Sequence, residues 1–146
     1  MIRLIGIDPG KSGGIASFDF DGVRADPMPA TVGDLIDYLR PLACAGTCKA
    51  YVERVHSSPQ MGVVSAFTFG RGLGNLEAAC QAFGIALVWI TPATWQRALG
   101  CLTKGDKNIS KRRAQELFPS LKITHATADA LLIAEYARRL ELGTTS

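Results

Sequence analysis

The chain has 146 residues, 47% of them hydrophobic and 20% charged, with a formal net charge of +3. That length suits a single domain with one sizeable core, and the composition excludes a disordered chain. The longest apolar run, Ile85–Ile90, falls far short of the roughly 20 residues a membrane span needs, and no signal-peptide pattern precedes Asp8-Pro9, so neither a membrane nor a secreted setting is expected.

In chain order, Leu4–Ile7 reads as a short apolar strand ending at Asp8, broken by Pro9-Gly10 with Gly13-Gly14 keeping the turn tight. Ile15–Phe20 is a second strand, Asp21-Gly22 a hairpin turn, and Val23–Met28 a third strand. Thr31 caps a helix through about Leu39. Ala50–Val55 is a fourth strand, rich in β-formers. Gly62–Phe83 is helical, with Gly84 as its stop. Ile85–Ile90 is a fifth strand whose uniformly apolar character predicts a central or buried place. Thr91-Pro92 opens a short helix through Leu99, Ile109–Phe118 forms another, and Thr127 caps a last helix over Ala128–Leu140. Gly143–Ser146 reads as a loose tail. A meander of three strands followed by alternating helices and strands predicts an α/β fold: a mixed five-stranded sheet with helices on both faces, the order found in the ribonuclease H fold.

Cys44, Cys48, Cys80 and Cys101 lack zinc-ligand spacing and read as reduced thiols. Charge is unevenly placed. Residues 1–90 hold seven Lys/Arg against eight Asp/Glu, and residues 91–146 hold nine against five. Within 104–113, Lys104, Lys107, Lys111, Arg112 and Arg113 face a single acid, Asp106. This cluster suits a phosphate backbone and equally suits a solvated helix face.

Three acids stand in apolar surroundings: Asp8 at the end of the first strand, Glu53 within the fourth, and Asp129 within the last helix. A buried carboxylate is costly unless its charge is compensated. If the first and fourth strands are neighbours and the last helix crosses them, the three converge, and divalent cations with a taste for hard oxygen ligands, Mg²⁺ or Mn²⁺, would relieve their repulsion. Such a cluster fits two-metal phosphodiester hydrolysis. Each acid also has a structural reading: an Asx turn for Asp8, a surface ion pair for Glu53, a helix-N-terminal charge for Asp129. Gly10-Lys11-Ser12 is no P-loop, since only Ile7, Asp8 and Pro9 separate Gly6 from Gly10 and an aspartate would repel phosphate. No nucleotide cofactor is therefore expected.

IGIDPGKSGGIA, YVERVHSSPQMGVVSAFTFGRGLGNLEAA, ITPATWQRALG, DKNISKRRAQELFPSL and ATADALLIAEYARR, in this order, resemble RuvC-type Holliday junction resolvases, most closely the phage and prophage branch. The resemblance spans Ile2 to Arg139 and implies a ribonuclease H-like fold, a homodimer, and Mg²⁺-dependent paired incision of four-way DNA junctions in the cytoplasm of a bacterial or phage-infected cell. It places Asp8, Glu53 and Asp129 as catalytic, metal-binding acids. The usual fourth ligand, three residues before the last acid, is Ala126 here; His125, one residue earlier, is a candidate ligand or proton-transfer group. Arg54 and His56 beside Glu53, Arg71 in the glycine-rich helix, and Lys107, which matches a lysine in the family's DNA-facing loop, become candidate DNA contacts. Lys104, Lys111, Arg112 and Arg113 are more generic ones. The helix over 62–83 is the implied dimer element, with Phe69, Leu73, Leu76, Cys80 and Phe83 as its apolar stripe; the stripe equally suits packing on the chain's own sheet, and both hold if Phe67 and Leu87 supply the other contact. Gly70, Gly72 and Gly74 suggest close backbone approach by DNA or a partner helix. A less selective nuclease acting on flaps or other branched DNA, and a non-catalytic junction-binding protein, are the rival readings.

Overall fold

A computed structural model describes residues 1–143, so most of the tail read at 143–146 lies outside the described residues. Three strands form an antiparallel meander: β1 (Arg3–Asp8), β2 (Gly14–Asp19) and β3 (Gly22–Pro27). Then come α1 (Val32–Cys44), β4 (Cys48–Glu53), α2 (Val63–Ala82), β5 (Ala86–Ile90), α3 (Pro92–Ala98), α4 (Lys107–Leu117) and α5 (His125–Glu141). The sheet order is β3-β2-β1-β4-β5, with β1, β4 and β5 parallel. This is the mixed five-stranded sheet expected from the order of elements. Among the described residues no helix is long and apolar enough to cross a membrane.

Alternation along the strands sorts side chains to two cores. Ile5, Ile7, Ala50 and Val52 face α1 and α2, packing with Leu35, Leu39, Leu76 and Cys80. Leu4, Tyr51 and Ile90 face the other way, packing with Trp95, Leu99, Ala114 and the α5 residues Ala130, Leu131 and Ala134. β5 is not central, as its sequence suggested, but an edge strand. Its apolar character has another cause: Leu87 and Trp89 pack on the α1/α2 side, Val88 on the α5 side. β4 ends at Glu53 rather than Val55.

The helix starts also shift. α5 begins at His125, three residues before the expected Ala128, because Thr124 rather than Thr127 is the N-cap; the two threonines form a reciprocal capping box. α4 begins at Lys107 under an Asp106 cap, which accepts from the Asn108 amide at 3.0 Å. Lys107 is therefore the first residue of a helix and not part of a loop. α1 runs past the expected Leu39 and through Pro41 to Cys44, its last turn held by buried Leu42.

One close approach seats α5. A Cβ built on Gly6 would lie 2.3 Å from both the Ala130 carbonyl oxygen and the Ala134 amide nitrogen. A Cβ on Gly14 would lie 2.4 Å from the Ala126 carbonyl oxygen. The α5 backbone thus rests directly on β1 and β2, which only glycine permits. Gly6→Ala is expected to destabilise the fold by on the order of 3 kcal/mol, since backbone must move to admit the methyl group. Chemical denaturation measures this, and a loss below about 0.5 kcal/mol would show that α5 is not seated there.

Candidate active site

Side chains two residues apart share one face of a strand. Gly6 faces α5, so Asp8 does too. Tyr51 pairs with Gly6 across the parallel β1–β4 ladder and packs in the α5-side core, which puts Glu53, two residues on, beside Asp8. Both acids stand at the C-terminal ends of their strands. Asp129 immediately precedes Ala130, whose carbonyl rests on Gly6, so α5 carries the third acid to the same end of β1.

The electrostatics report the convergence. Burial, followed by the charges of Glu53 and Asp129, pushes Asp8 from its ordinary 3.8 up to about 7, with Lys107 opposing. Glu53 is raised by burial and by Asp129, against the pull of Trp95 and Lys107. Burial also raises Asp129, while Ser110, Lys107 and His125 pull it down. Among the described residues Lys107 is thus the one cation that acts on all three acids. Asp106, the cap that starts α4, holds it there.

Each acid has distinct support. Glu53 is 9% exposed, and its Oε2 accepts a hydrogen bond from the Trp95 indole N–H at 2.8 Å. Ser110, buried on α4, donates to the Lys107 carbonyl at 3.1 Å and lies beside Asp129. Asp129 Oδ1 is buried with no hydrogen-bond partner among the described residues. Among those residues no group of three His, Cys, Asp or Glu is arranged closely enough to hold a metal ion as it stands. The donor set still fits a hard divalent ion: carboxylate oxygens only, mutually repelling, one of them buried and unsatisfied.

The remaining candidates scatter around this end. His125 is exposed at the first position of α5, one turn before Asp129 and close enough to act on it. Arg54 and His56 are exposed just beyond β4. Lys104 is exposed in a turn with φ of 48°. Lys111 is half-buried on α4 and Arg112 exposed. Arg113 is engaged internally, donating to the Leu99 carbonyl at 2.8 Å and pairing with Glu116 at 3.1 Å. Arg71 lines a groove of about 970 Å³ between α2 and the Pro9–Ser12 turn, opposite Lys11; no acid lines it.

The C-terminal half of the apolar stripe on α2 packs within the chain, while Phe69 and Leu73 stay half-buried. Leu76 and Cys80 are buried against this chain's own sheet, and Phe83 packs with them. Leu87 packs into the same core. The exposed apolar residues of α2 are Val63, Val64 and Phe67, in its first turns. Gly70, Gly72 and Gly74 have nothing within 4 Å of a built Cβ, so the close approach read from them is not made within the chain.

Sequence reasoning missed Trp95, Ser110 and Lys11. Lys11 was in view only as part of a rejected phosphate loop. A tryptophan and a serine in amphipathic helices carry no signal of their own; only the packing of α3 and α4 against β4 and α5 gives them a role.

The architecture is that of the ribonuclease H-like fold. Within it, the chain resembles RuvC, as its motifs suggested. It is 29% identical over 120 residues to the crossover junction endodeoxyribonuclease RuvC of Nitratidesulfovibrio vulgaris, covering 73% of this chain and 71% of that protein. Two T. thermophilus RuvC structures superpose on it. One, in complex with a Holliday junction substrate, gives a TM-score of 0.69 at 19% identity, covering 100% of this chain and 99% of that one. The other gives 0.65 at 20% identity, covering 99% and 98%. The yeast mitochondrial Holliday junction resolvase Ydc2 gives 0.51 at 14% identity, covering 95% of this chain and 78% of that one. No family model matches the chain.

Proposed function

We propose that this chain is a divalent-metal-dependent endonuclease that resolves four-way DNA junctions by paired phosphodiester hydrolysis, acting as a homodimer. The observation that carries the reading is the convergence of Asp8, Glu53 and Asp129 at one end of β1, where burial and mutual repulsion leave them in need of cations. The likeness to RuvC over most of the chain supports the junction as substrate.

Asp8, Glu53 and Asp129 would hold Mg²⁺, with Mn²⁺ as a substitute, and His125 is placed to join from the first turn of α5. The chemistry such ions would supply at these carboxylates is water activation and stabilisation of a leaving oxygen. The chain's own residues bind and orient. Trp95 fixes one oxygen of Glu53. Lys107 places a positive charge beside the acids, where a scissile phosphate would otherwise be repelled. Arg54, His56, Lys104, Lys111 and Arg112 flank the site, and Lys11 with Arg71 makes the neighbouring groove attractive to a second stretch of backbone. Val63, Val64 and Phe67 offer the apolar contact for a second copy, which would set two sites against the two equivalent strands of a junction.

The deciding experiment is cleavage of a mobile four-way junction beside flap and linear duplex DNA, with and without Mg²⁺. Symmetric Mg²⁺-dependent nicks in the junction alone support the reading. Equal cutting of flaps favours a general branched-DNA nuclease, and junction binding without nicks a non-catalytic binder. Lys107→Ala should weaken junction binding and reduce its salt dependence by about one ion; an unchanged salt slope would remove Lys107 from the phosphate contacts. His125→Ala should slow single-turnover cutting by more than about tenfold; an unchanged rate would leave His125 a surface residue.

A further inference from the structure

We propose that Trp95 is a positioning residue that holds the Glu53 carboxylate in the orientation needed to take up a cation. The proposal rests on the metal-dependent reading above and goes beyond it by assigning the site's support to a residue of α3.

Glu53 ends β4 with a long side chain, and Asp8 and Asp129 both bear like charge toward it. Nothing in the strand itself keeps such a side chain from turning away. Among the described residues the only hydrogen bond found to the Glu53 carboxylate is the one from Trp95, at 2.8 Å and buried. The indole has no freedom to follow a wandering partner: Trp95 is 0% exposed and packed among Leu4, Tyr51, Leu99 and Leu131. An indole N–H can only donate, so it pins one carboxyl oxygen of Glu53 as its acceptor and fixes the plane of the group. It engages Oε2 and leaves Oε1 without a hydrogen bond among the described residues.

The test uses the full chain without DNA and Mn²⁺ as the probe. Electron paramagnetic resonance should show Mn²⁺ bound by the wild type and bound at least about tenfold more weakly by Trp95→Phe, the usual size of effect for removing a group that orients a ligand. In a Glu53→Gln background the same substitution should change Mn²⁺ affinity little. A purely structural role would lower affinity equally in both backgrounds, and that outcome overturns the proposal. A second readout keeps the indole intact. Trp89→Phe leaves Trp95 as the sole tryptophan, and its emission should change on Mn²⁺ addition with the same midpoint as the resonance titration. Emission that stays constant through saturation, or wild-type affinity in Trp95→Phe, overturns the assignment. A wild-type chain that binds no Mn²⁺ at all overturns the metal reading itself, and the role of Trp95 with it.

Discussion

Asp8→Asn is expected to abolish cleavage of a mobile junction in Mg²⁺, by about a thousandfold or more, while junction affinity stays within a few-fold of wild type. The asparagine keeps the size of the side chain and removes the charge that a divalent ion needs, a loss of several kcal/mol of transition-state stabilisation. Binding should persist because the proposed contacts to the phosphate backbone, from Lys11, Arg71, Lys107 and their neighbours, do not depend on the Asp8 charge. Single-turnover kinetics on a labelled junction, paired with a binding titration in Ca²⁺ or EDTA, separates the two effects. Cutting at the wild-type rate would remove Asp8 from the site.

In the absence of divalent metal, stability should fall as pH rises, and Asp8 should be the main reason. Burial and the neighbouring charges of Glu53 and Asp129 lift Asp8 to about 7 in the folded chain, against an ordinary 3.8. The folded state therefore holds that proton more tightly than the unfolded state does. The resulting stabilisation is complete below about pH 4 and lost as pH passes through about 7. Glu53 and Asp129 are shifted in the same direction and add to the loss. Glu135 does not offset it. Against its own burial, Arg138 and Arg139 hold that carboxyl below its ordinary 4.5, so its contribution is already constant across this window. The loss amounts to on the order of 3 kcal/mol. Calorimetry in EDTA should show a lower Tm near pH 8 than near pH 5. Asp8→Asn should flatten that slope, and Mg²⁺ should restore the Tm at the higher pH by binding the folded state. A metal-free Tm independent of pH would mean that the three acids do not share one environment.

Both expectations depend on Asp8, Glu53 and Asp129 meeting, and the acids themselves were legible in the chain. Asp8 closes an apolar strand, Glu53 follows Ala50–Val52, and Asp129 interrupts an alanine- and leucine-rich helix, each a charge where its neighbours are buried. Lys107 was legible as one of a basic run, but not as the member that faces the acids. Its place depends on Asp106 starting α4 two residues earlier than the apolar pattern alone indicates. The α2 stripe was read at the right spacing with two coverings open, the chain's own sheet and a partner helix: a stripe shows that a face is covered, not by what. Leu76 and Cys80 are covered by the chain's own sheet, leaving Val63, Val64 and Phe67 outside.

By itself the sequence determined the alternation of strands and helices, the turns at Pro9-Gly10 and Asp21-Gly22, and which carboxylates sit among apolar residues. Those features come from periodicity and chain-breaking residues, which act over a few positions. The tertiary structure alone decided that β5 lies at the edge, that α5 rests its backbone on Gly6 and Gly14, and that Trp95 and Lys107 reach the acids. Those depend on which elements pack side by side, a choice made by the burial of whole faces between segments distant in the chain.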